Sequence, residues 1–268
     1  MLNYFQAIIF GFVQGFTEFF PISSSGHLVI LHKLIALPLK NELAFDVALH
    51  VASLLALIFF FKTELWLLIK NWFLSFWRGS NNYSRLSWYI IIATIPAGLA
   101  ALLFNDLITN IFRSPIAVAA MLALVGGLLL IIERVAKFKS NLNNLNWREA
   151  LLIGCAQALA LIPGTSRSGI SIIAGLGIGL KREEAVKFSF LISVPLIALA
   201  AIKKTPSLFG VDLSVNDYGL LLVAFISAFI TAWLAIKYFL RFARNHRLDI
   251  FAYYRFALAL FIVIYFFL

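Results

Sequence analysis

Gly15-Phe16-Thr17-Glu18-Phe19-Phe20-Pro21-Ile22-Ser23-Ser24-Ser25-Gly26-His27 interrupts an otherwise apolar region, 4–36. Pro21 cannot donate to a helix, and the serines compete for the backbone around them, so the helix carrying Glu18 ends here and another begins. A second break of the same kind, Ile162-Pro163-Gly164-Thr165-Ser166-Arg167-Ser168-Gly169, interrupts 147–180. Irregular backbone at membrane depth is tolerated only when it is buried in protein or lines a polar cavity. Each half on either side of a break is short, so both regions are expected as re-entrant helix–loop–helix hairpins that enter and leave on one side.

The whole composition supports a membrane setting. Of 268 residues, 62% are hydrophobic and 13% charged, and the mean hydropathy is +0.96. A water-soluble domain needs more polar surface. Beyond the broken regions, six apolar runs approach membrane-spanning length, at 44–61, 86–104, 116–132, 188–203, 219–240 and 250–268. The expected fold is therefore an all-α polytopic membrane protein, one domain over 1–268, with six transmembrane helices and two re-entrant hairpins. The first apolar run has no basic flank and no small-residue cleavage site, so it is not expected to be a signal peptide. Cys155 is the one cysteine; it rules out an internal disulfide and is expected as a packing residue.

The net charge of +10 does not indicate nucleic acid, because the basic residues sit in short loops between apolar runs. With re-entrant hairpins, the loops 62–85, 133–149, 181–187 and 237–249 fall on one side and carry fifteen of the 22 Lys and Arg. The opposite side has five: Lys33, Lys40, Arg113, Lys203 and Lys204. The richer side is expected to be cytoplasmic, which puts both termini outside. Arg182, Lys187 and the basic 237–249 loop read as topology determinants, and the run Trp66–Trp77 as an interfacial helix. Arg255, in the last span, is expected to snorkel to the interface.

The two broken regions also resemble each other. At a constant offset of 143 residues, Gly11 matches Gly154, Gln14 matches Gln157, Ser23 matches Ser166, Ser25 matches Ser168 and Gly26 matches Gly169. Each region is followed by three spans and enters from the opposite side. This predicts an inverted-topology repeat, about 1–132 and about 147–268, with the two tips meeting near the midplane.

Charged groups at that depth are costly and point to function. Glu18 and Gln14 lie one turn apart near a half-helix C-terminus, whose partial negative charge favours a cation. Arg167 precedes a second half-helix, where backbone N–H groups and a guanidinium fork suit phosphate. Ser24 and His27 allow a nucleophile–base pair, although serine clusters also cap helices and a lone histidine often only fills space. Asp46, His50 and Ser53 suit either support of the site or solvation of a helix end.

The motifs Gln14–His27 and Pro163–Gly169 resemble the two signatures of the bacterial undecaprenyl-diphosphate phosphatases of the bacitracin-resistance type. Phe45-Asp46-Val47, Ile95-Pro96-Ala97, Val125-Gly126-Gly127, Phe188-Ser189-Phe190-Leu191 and Tyr254-Arg255-Phe256 extend the likeness in the same order. The resemblance implies hydrolysis of undecaprenyl diphosphate to the monophosphate, a divalent cation (Mg²⁺ or Ca²⁺), membrane lipids as surroundings and a site open to the periplasm of a bacterial inner membrane. It implies Glu18 and Gln14 as metal residues, Ser24 as nucleophile, His27 as the motif histidine and Arg167 as the diphosphate-binding arginine. The flanking Ser166, Ser168 and Gly169, with Ser23 and Ser25 at the first tip, are expected around the substrate because small hydroxyl residues and glycine suit close approach of phosphate. Gln14 departs from the glutamate common in the family; an amide can ligate a metal but cannot act as a base. A homodimer stays open. The competing reading is a secondary transporter or flippase, for which inverted repeats and broken helices are equally usual.

Overall fold

The structure is a computed structural model that describes residues 2–35, 42–104, 114–204 and 214–267. Lys40, Arg113 and Leu268, which entered the charge count and the last predicted span, lie outside the described residues. Those described form eleven α-helices and no strand. In chain order they are α1 (Leu2–Phe19), α2 (Ser24–Leu34), α3 (Glu42–Phe60), α4 (Lys62–Arg78), α5 (Asn82–Leu103), α6 (Pro115–Val135), α7 (Trp147–Ala158), α8 (Arg167–Gly177), α9 (Arg182–Lys204), α10 (Val215–Asn245) and α11 (Asp249–Phe267). Five of them, α5, α6, α9, α10 and α11, are long and apolar enough to cross a membrane, and α3 makes a sixth if it is taken with α4, from which it bends by 79°. The protein is thus an all-α, multi-span membrane protein, with large apolar side chains spread over its outer surface.

The helices run further into the loops than the apolar runs indicate. α9 begins at Arg182 rather than 188, because Glu183 and Glu184 in its first turn complement the helix dipole. α10 continues to Asn245 and absorbs most of the expected 237–249 loop. Lys237, Arg241 and Arg244 are good helix formers, and cations are favoured at that end. α4 carries the exposed Trp66, Phe73, Phe76 and Trp77. Cys155 departs from expectation: it is exposed. α7 buries Ala150, Ile153, Gly154 and Gln157, and Cys155 lies off that face.

Both breaks fall where the prolines and serines put them, and they share a local geometry. Ser23 and Ser166 each take a positive φ, 73° and 71°. Each then caps the helix that follows: the Ser23 Oγ accepts from the Gly26 N–H at 3.4 Å, and the Ser166 Oγ from the Gly169 N–H at 3.1 Å. Between α7 and α8 the chain passes through a 3₁₀ turn, Leu159–Leu161.

The packing partners recur as well. α1 lies along α10, α7 lies along α5, and α6 pairs with α11. Glycine permits the first two approaches. Gly11 sits directly on the Ala224 carbonyl of α10, and a Cβ added at Gly154 would stand 2.5 Å from the Ala93 carbonyl oxygen of α5. An aromatic cluster of Phe19, Phe20, Phe190, Phe239 and Phe251 fills the centre beneath the first break. Gly154→Val should therefore separate α7 from α5. Overpacking of this kind costs about 1–3 kcal/mol. The expected outcome is a lower unfolding temperature in detergent than for Leu152→Val, a change on the exposed face of the same helix.

Candidate active site

The end of α1 and the start of α8 converge on one carboxylate. Gln14 and Glu18 are both buried in the last turns of α1. The Gln14 Nε2 donates to Glu18 Oε2 at 3.0 Å, and the Ser24 Oγ, at the first residue of α2, donates to the same oxygen at 2.7 Å. The other oxygen, Oε1, accepts from Arg167 Nη2 at 2.9 Å. Arg167 also reaches the Ser189 carbonyl of α9 at 3.4 Å. One residue from each break therefore completes a buried ion pair, and a serine hydroxyl rests on it.

A cavity of about 160 Å³ opens beside the pair, lined by Glu18, Ser24, Ser25, His50, Ala160, Ser166 and Arg167. His50 of α3 enters with its Nε2 3.8 Å from Glu18 Oε2. Its Nδ1 lies 2.8 Å from the Asp46 carbonyl oxygen. A carbonyl only accepts, so Nδ1 carries a hydrogen and Nε2 is the nitrogen presented to the site. Asp46 itself pairs with His32 at 3.0 Å, and Ser53 donates back to the Leu49 carbonyl within its helix. Of the three polar residues singled out on α3, His50 is the one at the cavity.

The structure assembles Gln14, Glu18, Ser24, Ser25, Ser166 and Arg167. It places the other candidates around them. His27 does not face Ser24: its Nδ1 meets the Ser23 carbonyl at 2.7 Å and its Nε2 meets the Tyr254 hydroxyl at 2.6 Å. Ser168 donates to the Phe20 carbonyl at 2.9 Å, tying the second break to the end of α1. Ser23 and Gly169 are occupied by the caps described above.

Arg255 overturns its expected role. It does not snorkel; it is fully buried. Its guanidinium donates to the carbonyl of Pro21 in the first break at 3.1 Å, and to those of Gly164 and Thr165 in the second at 2.9 and 3.1 Å. It further reaches the Leu122 and Met121 carbonyls of α6 at 3.0 and 3.3 Å. A helix end leaves carbonyls without partners, and both breaks are such ends. The signal was present in the sequence: the cost of charge in lipid, which singled out Arg167, applies equally to Arg255. Arg182 and Lys187, expected as topology determinants, are both held in ion pairs. Arg182 forks onto the buried Glu133 at 2.7–3.0 Å, and Lys187 pairs with Glu64 at 2.7 Å.

A divalent cation would find a partial set of donors here. Among the described residues, no three His, Cys, Asp or Glu side chains group to hold a metal. The Gln14 Oε1, however, is buried beside Glu18 without a hydrogen-bond partner. A bare amide oxygen next to a carboxylate suits a hard cation such as Mg²⁺ or Ca²⁺, which takes oxygen ligands.

Fold and site together define a class: a multi-span helical membrane protein with a Glu–Arg–Ser cluster held between two interrupted helices. The sequence matches the family described as bacitracin resistance protein BacA over residues 7–261. The chain belongs to that family. It is 44% identical over 265 residues to a protein named undecaprenyl-diphosphatase from Thermodesulfovibrio yellowstonii, covering 98% of each chain. It is 41% identical to one of that name from Methanobrevibacter smithii, covering 94% of each. A protein named undecaprenyl-diphosphatase 2 from Stutzerimonas stutzeri is 42% identical over 95% of each.

Replacing Arg255 by Met should strand the carbonyls of both breaks. Each buried acceptor left unpaired costs about 1–3 kcal/mol. The expected result is a fall in thermal stability larger than that of Arg241→Met at the exposed end of α10, measured by unfolding in detergent.

Proposed function

We propose that the cavity between the two breaks is the active site at which this protein hydrolyses undecaprenyl diphosphate to undecaprenyl phosphate and phosphate. The activity follows from family membership and from the name shared by full-length relatives. Hydrolysis renews the monophosphate lipid that carries cell-wall precursors, and bacitracin resistance is the property in the family's name. The observation that carries the site is the Ser24 hydroxyl on Glu18 Oε2, with Arg167 on the other carboxylate oxygen.

The residues divide the work by their chemistry. Arg167 holds the terminal phosphate; its five donors leave several to spare beyond those given to Glu18 and Ser189. Ser166 and Ser25 line the same space and add hydroxyl donors. Glu18 takes the Ser24 proton as the Ser24 oxygen bonds to the terminal phosphorus, and the lipid monophosphate departs with the electron pair of the broken P–O bond. Water then attacks the phosphoserine, and the proton held on Glu18 returns to the Ser24 oxygen. Gln14 cannot move protons; it orients the carboxylate. A divalent cation held by Glu18 and the Gln14 amide oxygen would neutralise charge on the phosphate oxygens. His27 is a positioning residue in this scheme, holding the first break through Tyr254 and Ser23.

The fold reading that goes with this is an inverted-topology repeat with two re-entrant hairpins. The paired serine caps and the exchanged packing of α1 on α10 and α7 on α5 support it. The charge split supports both termini facing outward from a bacterial inner membrane, and the family resemblance supports a cavity open to that same side.

Removing a donor that stabilises transition-state charge typically costs a factor of about 10²–10³. Arg167→Ala, Glu18→Gln and Ser24→Ala are each expected to lose at least that much phosphate release from undecaprenyl diphosphate in detergent, while staying folded. Wild-type release should stop on EDTA and return with Mg²⁺ or Ca²⁺. Full activity in Arg167→Ala would remove the phosphate-binding assignment, and full activity under EDTA would remove the cation.

A further inference from the structure

The geometry points to a second, apolar subsite for the same substrate: the cavity lined by Val47, Ala97, Leu161, Leu196, Ile197 and Ala200 takes the first isoprene units of the lipid. The inference rests on the catalytic reading above and adds where the hydrocarbon goes. The cavity measures about 310 Å³ and lies between α3, α5, α9 and the turn that follows α7. It shares His50, Ala160 and Arg167 with the polar cavity. A chain leaving the diphosphate therefore passes directly into it.

The wall chemistry suits that occupant. α5 and α9 present alanines at Ala97, Ala101, Ala200 and Ala201, and Val47, Leu161, Leu196 and Ile197 add branched aliphatics. The small side chains leave the width that a methyl-branched chain requires. Besides His50 and Arg167 at the shared end, Gln157 is polar on the wall, with its Nε2 on the Ala93 carbonyl at 3.3 Å and its Oε1 unpartnered. Lys204, at the end of α9, also lines the cavity. Two further apolar grooves lie against α5, one lined by Leu68 and Trp72 and one by Leu99 and Leu102. Neither shares a residue with the polar cavity, so neither offers the chain a direct path.

Size limits how much of the lipid is held. An apolar cavity of about 150 Å³ holds one benzene, so one of about 310 Å³ accepts on the order of ten carbons, or two isoprene units. The rest of a long polyprenyl chain stays in the bilayer. Recognition by the protein therefore saturates near C10.

The test is hydrolysis of C5, C10 and C15 prenyl diphosphates in one detergent, by wild type, Ala200→Phe and Leu99→Phe. Wild type is expected to gain at least tenfold in kcat/KM from C5 to C10 and less than threefold from C10 to C15. Ala200→Phe should collapse the C10-to-C5 ratio toward one, through KM. Leu99→Phe, on the lipid-facing groove, should keep the wild-type ratio. Three results overturn the subsite while leaving the phosphatase intact: an undiminished ratio in Ala200→Phe, a collapsed ratio in Leu99→Phe, or a steady gain through C15. Failure of wild type to hydrolyse any of these diphosphates or undecaprenyl diphosphate would overturn the catalytic reading as well.

Discussion

A buried arginine holds the centre of this protein together. Arg255 lies at a depth where a charge without partners is costly, and its five carbonyl partners come from the two breaks and from α6. The dependence runs both ways. The breaks expose carbonyls that no helix satisfies, and the guanidinium has donors that lipid cannot satisfy. Each makes the other tolerable. Ser168, donating to the Phe20 carbonyl, adds a direct stitch between the breaks. With the tips held together, Glu18 and Arg167 meet at 2.9 Å although 149 positions separate them in the chain.

The same arrangement explains why the site is polar at one end and greasy at the other. The Glu18 carboxylate accepts from Gln14, Ser24 and Arg167, so the pair is neutral overall and can sit in an apolar surround. Beyond His50 and Ala160 the wall turns to alanine and branched aliphatics. An amphiphile with a diphosphate head fits that gradient. Topology alone does not separate hydrolysis from transport; membership of the family and the name undecaprenyl-diphosphatase borne by relatives matched along nearly their full length favour hydrolysis.

Much of this was legible in the residues. Pro21 and Pro163, with their serines and glycines, located both breaks, and the price of charge in lipid located Glu18 and Arg167. Among the described residues, each of the six predicted spans falls on a helix, with 44–61 and 86–104 running one residue past its end. What stayed hidden depends on three-dimensional partners. Arg255 sits in an apolar span, and nothing local tells whether such a side chain turns to the interface or into carbonyls supplied from over 200 residues away in the case of Pro21. His27 is one turn from Ser23 and Ser24, yet Tyr254, from the last helix, takes its ring. His50 was visible only as one of three polar residues on α3; its Nδ1 bond to the Asp46 carbonyl decides which nitrogen faces the cavity. Helix ends were misplaced at α9 and α10 because charged residues that read as loop are also good helix formers.

The central claim is that Ser24, on Glu18, forms the bond to phosphorus. The stereochemical course at a chiral, isotopically labelled terminal phosphate tests it most directly. Two successive in-line displacements, through a phosphoserine, predict net retention of configuration. Net inversion would mean a single attack by water and would contradict the account.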